Sequence, residues 1–312
     1  MTSSCTHSTQ EGSGGGLVVA LMGPTASGKT ALALDLAEAL NLAVISVDAR
    51  QVYIGMDIGT AKPTAHQRQR VRHELLDLRS PEHPITLQEF LPLGRAAISA
   101  ELGRCGMALL VGGSGLYLQG LLQGLTPPAV APQPQLREQL RAMGQPLCHA
   151  LLEACDPSAA ARIAPADTSR TQRALEVVYA TGETISAQQR RIPPPWQILE
   201  LGLDPTDLSQ RIRKRTMEMY EAGLAAETAE LIRRHGSGCA LLDTIGYAEA
   251  RRLLHGELEE GQAMALTEQR TRQYAKRQRT WFRRQHQVHW LKGEDLMQQA
   301  LTALKRSQQG LG

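Results

Sequence analysis

Residues 17–30 read LVVALMGPTASGKT, and this stretch decides the fold. Its first six residues form a continuous apolar run with β-branched side chains, which is typical of a strand buried on both faces of a parallel sheet. The run stops at Gly23-Pro24, and residues 30–40 (TALALDLAEAL) then carry strong helix formers at helical spacing. A second short apolar run, at residues 43–47, is closed by Asp48. The order of strand, glycine-rich turn, helix and strand predicts an α/β fold with a parallel sheet.

The turn between the first strand and the helix matches the phosphate-binding pattern G-x-x-x-x-G-K-[ST]. Its residues are Gly23, Pro24, Thr25, Ala26, Ser27, Gly28, Lys29 and Thr30. In such a loop, backbone N–H groups and the N-terminus of the following helix surround phosphate oxygens. Lys29 adds a full positive charge, and the Thr30 hydroxyl is placed to hold Mg²⁺. The sequence therefore predicts a P-loop-type core that binds a phosphorylated ligand.

An aspartate stands where the second strand ends. P-loop enzymes use an acidic residue to bind Mg²⁺ or to orient a nucleophile. Asp48 thus has three interpretations: a turn cap, an outer ligand of Mg²⁺, or a general base acting on an acceptor, and we favour the base. A polar loop follows at residues 56–63 (MDIGTAKP), in which Lys62 is a candidate phosphate contact.

A third strand is predicted at residues 107–111, followed by the turn Gly112-Gly113-Ser114-Gly115 and a helix from residue 116 to about residue 125. The carboxyl ends of parallel strands carry the functional loops, so this turn should lie near Asp48. It is either a second anion-binding nest or a helix start capped by Ser114.

Composition predicts five segments along the chain. Residues 1–16 are rich in Ser, Thr and Gly and lack the features of a signal peptide, which indicates a disordered tail. Residues 17–125 form the first part of the core, and residues 126–195, which open with Pro, Ala and Gln, form a helical insertion without strands. A strand at residues 196–203 returns to the sheet. Residues 196–292 complete the core with basic helices, and residues 293–312 form a C-terminal tail helix.

The overall composition is that of an ordinary globular protein: 312 residues, 42% hydrophobic and 21% charged. The longest apolar run, Leu17–Met22, is too short to cross a bilayer, so we expect no membrane partner. Five cysteines without a C-x-x-C pair argue against a disulfide framework and a zinc site. They favour a reducing compartment, and we expect the cytoplasm.

Basic residues concentrate near the C-terminus. Residues 270–292 contain eight Lys or Arg and no Asp or Glu. Four of them share one helix face at spacings i, i+4, i+7 and i+11: Arg272, Lys276, Arg279 and Arg283. Tyr274 and Trp281 fall on the opposite face, so we expect one face to pack and the other to meet nucleic-acid phosphates. A solvated charged face is the alternative. Arg170 and Arg173, in the insertion, either grip the same RNA or form surface salt bridges.

Seven motifs in a fixed order resemble those of the bacterial tRNA dimethylallyltransferases. They are GPTASGKT, VISVDARQVYIGMDIGTAKP, GGSGLY, DTSRTQRALEV, RIRKRTMEMYEAGL, the pair Gly246-Tyr247, and TRQYAKRQRTWF. The resemblance covers about residues 17–292. It implies that the core binds dimethylallyl pyrophosphate and that N6 of the adenosine immediately 3′ of the anticodon displaces pyrophosphate, giving N6-isopentenyladenosine.

The resemblance also implies roles for single residues. Thr25 to Thr30 would cradle the pyrophosphate, with Mg²⁺ at Thr30, and Arg211 and Arg215 would help to neutralise the leaving group. Asp48 would be the general base and Ser114 would lie beside the substrate base. A pocket for the adenine pulled out of its stack would be lined by Asp48, Ala49, Arg50 and Gln51. The partner would be the anticodon stem-loop of tRNA, and we expect a monomer.

Two positions depart from the family pattern. Ala49 stands where a serine is usual, which removes one hydroxyl near the substrate, and Ala248 stands where a basic residue often follows Gly246-Tyr247. Two other functions stay open. A small-molecule P-loop kinase could use the RIRKR run as a lid but would not need the basic helix. A non-catalytic RNA-binding nucleotide sensor would not need Asp48 opposite the phosphate loop.

Overall fold

The structure is a computed structural model that describes residues 16–309. The predicted tail at residues 1–16 therefore lies, apart from Gly16, outside the described residues. The chain divides into two compact units. The first comprises Met1–Ile85, Leu93–Leu118 and Pro195–Gly312, and the second comprises Thr86–Pro92 and Gln119–Pro194.

The described residues contain eight strands, numbered in chain order. They are β1 (Leu17–Met22), β2 (Val44–Ser46), β3 (His73–Glu74), β4 (Met107–Gly112), β5 (Leu125–Thr126), β6 (Arg190–Arg191), β7 (Gln197–Leu203) and β8 (His289–Leu291). The helices are α1 (Lys29–Leu40), α2 (Ala65–Arg70), α3 (Leu87–Cys105), α4 (Gly115–Leu122), α5 (Pro134–Met143), α6 (Gln145–Cys155), α7 (Pro157–Ala160), α8 (Thr168–Thr181), α9 (Ile185–Gln188), α10 (Leu208–Glu221), α11 (Leu224–His235), α12 (Tyr247–Leu254), α13 (Glu260–Gln285) and α14 (Leu296–Gln309). A 3₁₀ turn spans Ala240–Asp243.

A six-stranded sheet, parallel throughout, forms the centre of the first unit. Its strand order is β3-β2-β4-β1-β7-β8. All six residues of β1 are buried, and β1 pairs with β4 on one side and β7 on the other. The continuous apolar run that the sequence shows is thus the central strand. The predicted α/β fold with a P-loop-type parallel sheet is confirmed, and the loops after β1, β2 and β4 lie at one edge of the sheet.

One apolar core of the first unit packs around helix α1. Leu32 and Leu36 of α1 pack in the same cluster as Leu17 and Leu21 of β1. Ala300 and Leu304 of α14, which lies where the C-terminal tail helix was predicted, are buried in this cluster too. The small apolar face of α14 makes it part of the core.

Several short elements differ from the sequence expectations. Strand β8 lies beside β7 in a stretch that was expected to be helical. It has only three residues, too few to show a two-residue periodicity. The helix expected from residue 116 to about residue 125 is α4, which ends at Leu122, before Gly124 with a positive φ of 67°.

The second unit is built mainly from α5 to α9. Buried side chains of α6 and α8, among them Leu152 and Leu175, form a separate apolar core. The insertion was expected at residues 126–195 without strands, whereas this unit also includes Thr86–Pro92 and the antiparallel pair of β5 and β6. Strands of two residues carry no sequence period, so the pattern could not predict them.

Candidate active site

The phosphate loop connects β1 to α1 through unusual backbone angles. Gly23 has φ 149° and a Cβ there would stand 2.3 Å from the carbonyl oxygen of Leu203, so only glycine fits. Gly28, with φ 92°, is the residue before the first turn of α1. The loop therefore presents the N-terminus of α1, whose first N–H groups have no partner within the helix, toward the edge of the sheet.

The Lys29 side chain packs against this loop, which shields its ammonium group from water. Its Nζ donates hydrogen bonds to the carbonyl oxygens of Gly23 and Pro24, each at 2.8 Å. Burial and, to a smaller extent, the charge of Arg215 lower the pKa of Lys29 to about 7, against the opposing charge of Asp48. Burial also lowers the pKa of Arg215, again opposed by Asp48. Two cations so close together in a buried place favour the binding of an anion.

A cavity of about 380 Å³ opens beside the phosphate loop. Its wall combines the loop after β2, helix α10, the turn before α12 and helix α13. The lining residues are Thr25, Asp48, Ala49, Arg50, Gly59, Thr60, Ser114, Ile212, Arg215, Thr216, Met219, Asp243, Thr244, Ile245, Thr267, Arg270, Thr271, Tyr274 and Arg277. Four arginines and two aspartates line the wall, and one of the arginines, Arg270, also pairs with Glu249.

The turn after β2 holds Asp48 at this wall. Its Oδ1 accepts a hydrogen bond from the Arg50 N–H at 2.8 Å, and the Ser114 hydroxyl accepts one from the Ala49 N–H at 2.9 Å. The carbonyl oxygen of Ser114 starts α4 by accepting from the N–H of Tyr117. Ser114 therefore begins the helix through its backbone, while its side chain secures the turn that carries Asp48.

Two residues predicted at the site have other positions. Gln51 does not line the cavity: its amide donates to the carbonyl oxygen of Ala61 at 3.2 Å and accepts from the Ser46 hydroxyl at 3.0 Å. It fixes the following loop to β2. Lys62, a candidate phosphate contact, has a buried side chain that pairs with Asp57 and Asp77, each at 2.6 Å. It is a structural residue, because its charge is already balanced by two carboxylates.

The loop that follows Asp48 is held by a carboxylate that sequence reasoning missed. Glu227 accepts hydrogen bonds from the backbone N–H groups of Asp57, Ile58 and Gly59, and from the Tyr247 hydroxyl at 2.6 Å. A Cβ on Gly59 would stand 2.4 Å from the Tyr247 ring. Burial, and then the charge of Glu227, raises the pKa of Tyr247. The Gly246-Tyr247 pair therefore supports the cavity wall, since Gly59 lines the cavity.

Arg211 and Thr30 lie at the rim of the phosphate loop. The guanidinium of Arg211 is 3.5 Å from where a Cβ on Gly28 would stand, and its Nε donates to Asp207 at 2.7 Å. Thr30 is exposed and lines a separate cavity of about 30 Å³ with Ser46. Thr30 is the last residue of the loop and Arg211 lies beside it, but neither lines the larger cavity.

Helix α13 faces the cavity with the side opposite to the predicted basic stripe. Thr267, Arg270, Thr271, Tyr274 and Arg277 line the cavity, at spacings of three and four residues. Burial raises the pKa of the Tyr274 hydroxyl to about 12, and the charge of Asp48 adds to this rise. Tyr274 was expected to pack, and Arg270 and Arg277 were not singled out. The same helical spacing, applied to their face, is the signal that could have found them.

The basic stripe itself is partly neutralised. Arg279 and Arg283 both pair with Asp204, at 2.5 and 2.9 Å, and Arg272 pairs with Glu268 at 2.9 Å. Lys276 is exposed and has no ion pair within the described part of the chain. The segment is free of acids in sequence, but Asp204 reaches it from the end of β7.

In the second unit, Arg173 is part of an internal network. It pairs with buried Glu176 at 2.5 Å and donates to the carbonyl oxygen of Val130 at 2.8 Å. Arg170 is exposed and pairs with Asp167 at 3.5 Å. For Arg173 this arrangement favours the salt-bridge interpretation over RNA contact, because its guanidinium already binds Glu176 and the Val130 carbonyl.

A phosphate loop after β1, a carboxylate after β2 and an arginine-lined cavity define a P-loop-type α/β enzyme that handles a phosphorylated substrate. Among residues 16–309 no helix is both long and apolar enough to cross a membrane. A family model described as IPP transferase matches residues 51–285. The chain belongs to this family.

Named relatives are similar along almost the whole chain. A tRNA dimethylallyltransferase of Parasynechococcus marenigrum is 60% identical over 290 residues, 93% of this chain and 97% of the relative. One of Prochlorococcus marinus is 57% identical, with 93% and 97% covered. These relatives confirm the family resemblance of the motifs and support neither a kinase nor a nucleotide sensor.

Solved structures similar to this chain belong to the same kind of enzyme. The full-length tRNA isopentenylpyrophosphate transferase of Bacillus halodurans is 34% identical with a TM-score of 0.68, covering 94% of this chain and 98% of that one. A eukaryotic dimethylallyltransferase acting on tRNA has a TM-score of 0.75 at 27% identity, covering 94% and 77%.

Proposed function

We propose that this chain transfers the dimethylallyl group of dimethylallyl pyrophosphate to N6 of the adenosine 3′ of the anticodon in tRNA, giving N6-isopentenyladenosine. One observation carries the proposal: a single cavity brings together Thr25 of the phosphate loop, the Asp48 carboxylate and Arg215. Groups that would bind the leaving pyrophosphate and a group that would accept the proton therefore line the same cavity.

Asp48 is the proton acceptor in this proposal. Adenine N6 is a weak nucleophile because its lone pair is delocalised into the ring. As N6 bonds to the allylic carbon, the carbon–oxygen bond to pyrophosphate breaks and one N6 proton passes to the Asp48 carboxylate. The hydrogen bond from the Arg50 N–H holds that carboxylate at the cavity wall.

The leaving pyrophosphate is stabilised from several directions. In this proposal Arg215 supplies charge from the cavity wall, Lys29 and Arg211 supply it beside the phosphate loop, and the first N–H groups of α1 would donate to the pyrophosphate oxygens. A negative ligand also removes the cost of holding Lys29 and Arg215 close together.

The exposed Thr30 side chain, in the first turn of α1, fits a role as one ligand of Mg²⁺. Thr30 offers a hydroxyl oxygen, and Mg²⁺ in such sites keeps several waters and binds mostly through substrate phosphates and few protein oxygens. Thr30 would hold the ion, which when bound would neutralise charge on the pyrophosphate.

The anticodon stem-loop of tRNA is the proposed partner of the cavity mouth and of the basic face of α13. Arg50, Arg270 and Arg277 line the cavity, and the Arg277 guanidinium lies 5.7 Å from the centre of the Tyr274 ring. Flat aromatic and guanidinium groups suit a base pulled out of its stack. We further propose that the enzyme acts as a monomer in the cytoplasm, where the thiols of Cys105, Cys148, Cys155 and Cys239 would stay reduced.

The test is incubation of the purified protein with unmodified tRNA, Mg²⁺ and dimethylallyl pyrophosphate, followed by mass spectrometry of the nucleosides. We expect N6-isopentenyladenosine at the position 3′ of the anticodon and no tRNA-stimulated ATP hydrolysis. ATP turnover without prenyl transfer would contradict the proposal.

A further inference from the structure

Gln278 occupies an unusual position in helix α13. It belongs to the TRQYAKRQRTWF motif, yet its side chain is buried, with 7% of the residue exposed. Its Oε1 accepts a hydrogen bond from the Thr25 N–H at 2.8 Å, and its Nε2 donates one to the carbonyl oxygen of Gly113 at 2.8 Å. One amide therefore joins the phosphate loop after β1 to the turn after β4.

The turn after β4 is shaped around this amide. A Cβ on Gly113 would stand 2.5 Å from Gln278 Nε2, so a side chain there would displace the amide. Tyr274, one helical turn earlier on the same helix, lines the cavity wall. Three parts of the site thus meet at one residue.

The chemistry of the contact requires an amide. Glutamine offers an acceptor and a donor on one terminal group without a charge. A methionine would fill the same space but would leave the Thr25 N–H and the Gly113 carbonyl without partners in a buried place, which is unfavourable. Packing alone would therefore not select this residue.

We infer that Gln278 is a positioning residue for the donor: from the helix that carries the RNA-facing arginines, it fixes the phosphate loop in the form that binds pyrophosphate. The inference rests on the proposed function for the identity of the donor. In this role Gln278 acts through the backbones of Thr25 and Gly113 rather than by contacting the donor or the tRNA.

The test compares Gln278→Met with Gln269→Met, a matched change at an exposed glutamine on the same helix. Binding of inorganic pyrophosphate is measured by titration calorimetry, and KM for the donor and for tRNA is measured separately. In Gln278→Met we expect the pyrophosphate Kd and the donor KM to rise roughly 10-fold, while KM for tRNA changes less than about 2-fold. Gln269→Met should match the wild type in all three.

A second variant keeps Gln278 and disturbs its contact. Gly113→Ala should push the amide aside and raise the pyrophosphate Kd in the same direction, which secures the test if Gln278→Met fails to fold. An unchanged pyrophosphate Kd in both variants, or an equal loss for donor and tRNA, would overturn the inference. A wild type that binds pyrophosphate but transfers no prenyl group would instead contradict the proposed function alone.

Discussion

At the scale of single residues, Asp48 is the side chain on which the proposed chemistry depends. In Asp48→Asn the side-chain oxygen can still accept from the Arg50 N–H, so the turn should keep its shape, but the amide cannot take a proton. Turnover should fall roughly 10²- to 10⁴-fold with little change in tRNA affinity. Single-turnover rates at rising Mg²⁺ check this. If added Mg²⁺ restored the rate, Asp48 would be a metal ligand and not the base. Asp35→Asn, at an exposed position of α1, is the control variant.

Lys29 should couple donor binding to proton uptake. Its pKa of about 7 leaves much of it uncharged above neutral pH, and bound pyrophosphate would favour the charged form. Affinity for pyrophosphate should therefore fall as pH rises from 7 to 9 more steeply than in Lys29→Arg, whose guanidinium stays charged. Titration calorimetry in buffers of different ionisation enthalpy counts the protons. If the wild type and Lys29→Arg took up the same number of protons on binding pyrophosphate, Lys29 would not be the group that accepts them.

At the scale of elements, the two faces of α13 carry different charge. On the stripe, Lys276 has no ion pair within the described residues, whereas Arg283 and Arg279 both pair with Asp204. Lys276→Gln should lower the salt dependence of tRNA binding by roughly one counterion, and Arg283→Gln by less, with the target base unchanged. Binding measured over a series of salt concentrations gives both slopes. An unaltered slope in the variant with all four stripe residues neutralised would assign this face to structure alone.

At the scale of the whole molecule, the buried carboxylate of Glu176 makes the stability of the second unit depend on pH. Burial alone would raise the pKa of Glu176, but hydrogen bonds from Arg137, the Gln133 N–H and Arg173 lower it to about 2. Because the folded pKa lies below the unfolded value, the stabilisation is present above about pH 4.5 and disappears as pH falls toward 2. Thermal unfolding across this range should show the loss in the wild type. The Glu176→Gln variant should be less stable than the wild type at pH 7, and its stability should change less as the pH falls. If the melting temperatures of the variant and the wild type changed with pH by the same amount, this role of Glu176 would be contradicted.

The sequence alone determined four of the six strands of the sheet, the phosphate loop and the place of Asp48. These follow from local patterns: a buried strand is a continuous apolar run, and the ends of neighbouring parallel strands meet at one edge. Asp48, Ala49, Arg50 and Ser114 therefore came together as expected. The co-occurring motifs also identified the family, because their order along the chain is itself a sequence property.

Only the tertiary structure decided which side of each element meets the cavity. Gln51 and Lys62 sit in the motifs but turn away, toward Ala61 and toward two aspartates. Arg277 enters the wall because the packing of α13 turns that face inward, and Glu227 and Gln278 act on loops far from them in sequence. Helical periodicity shows that a helix has two faces, but contacts between distant residues choose the face that is used.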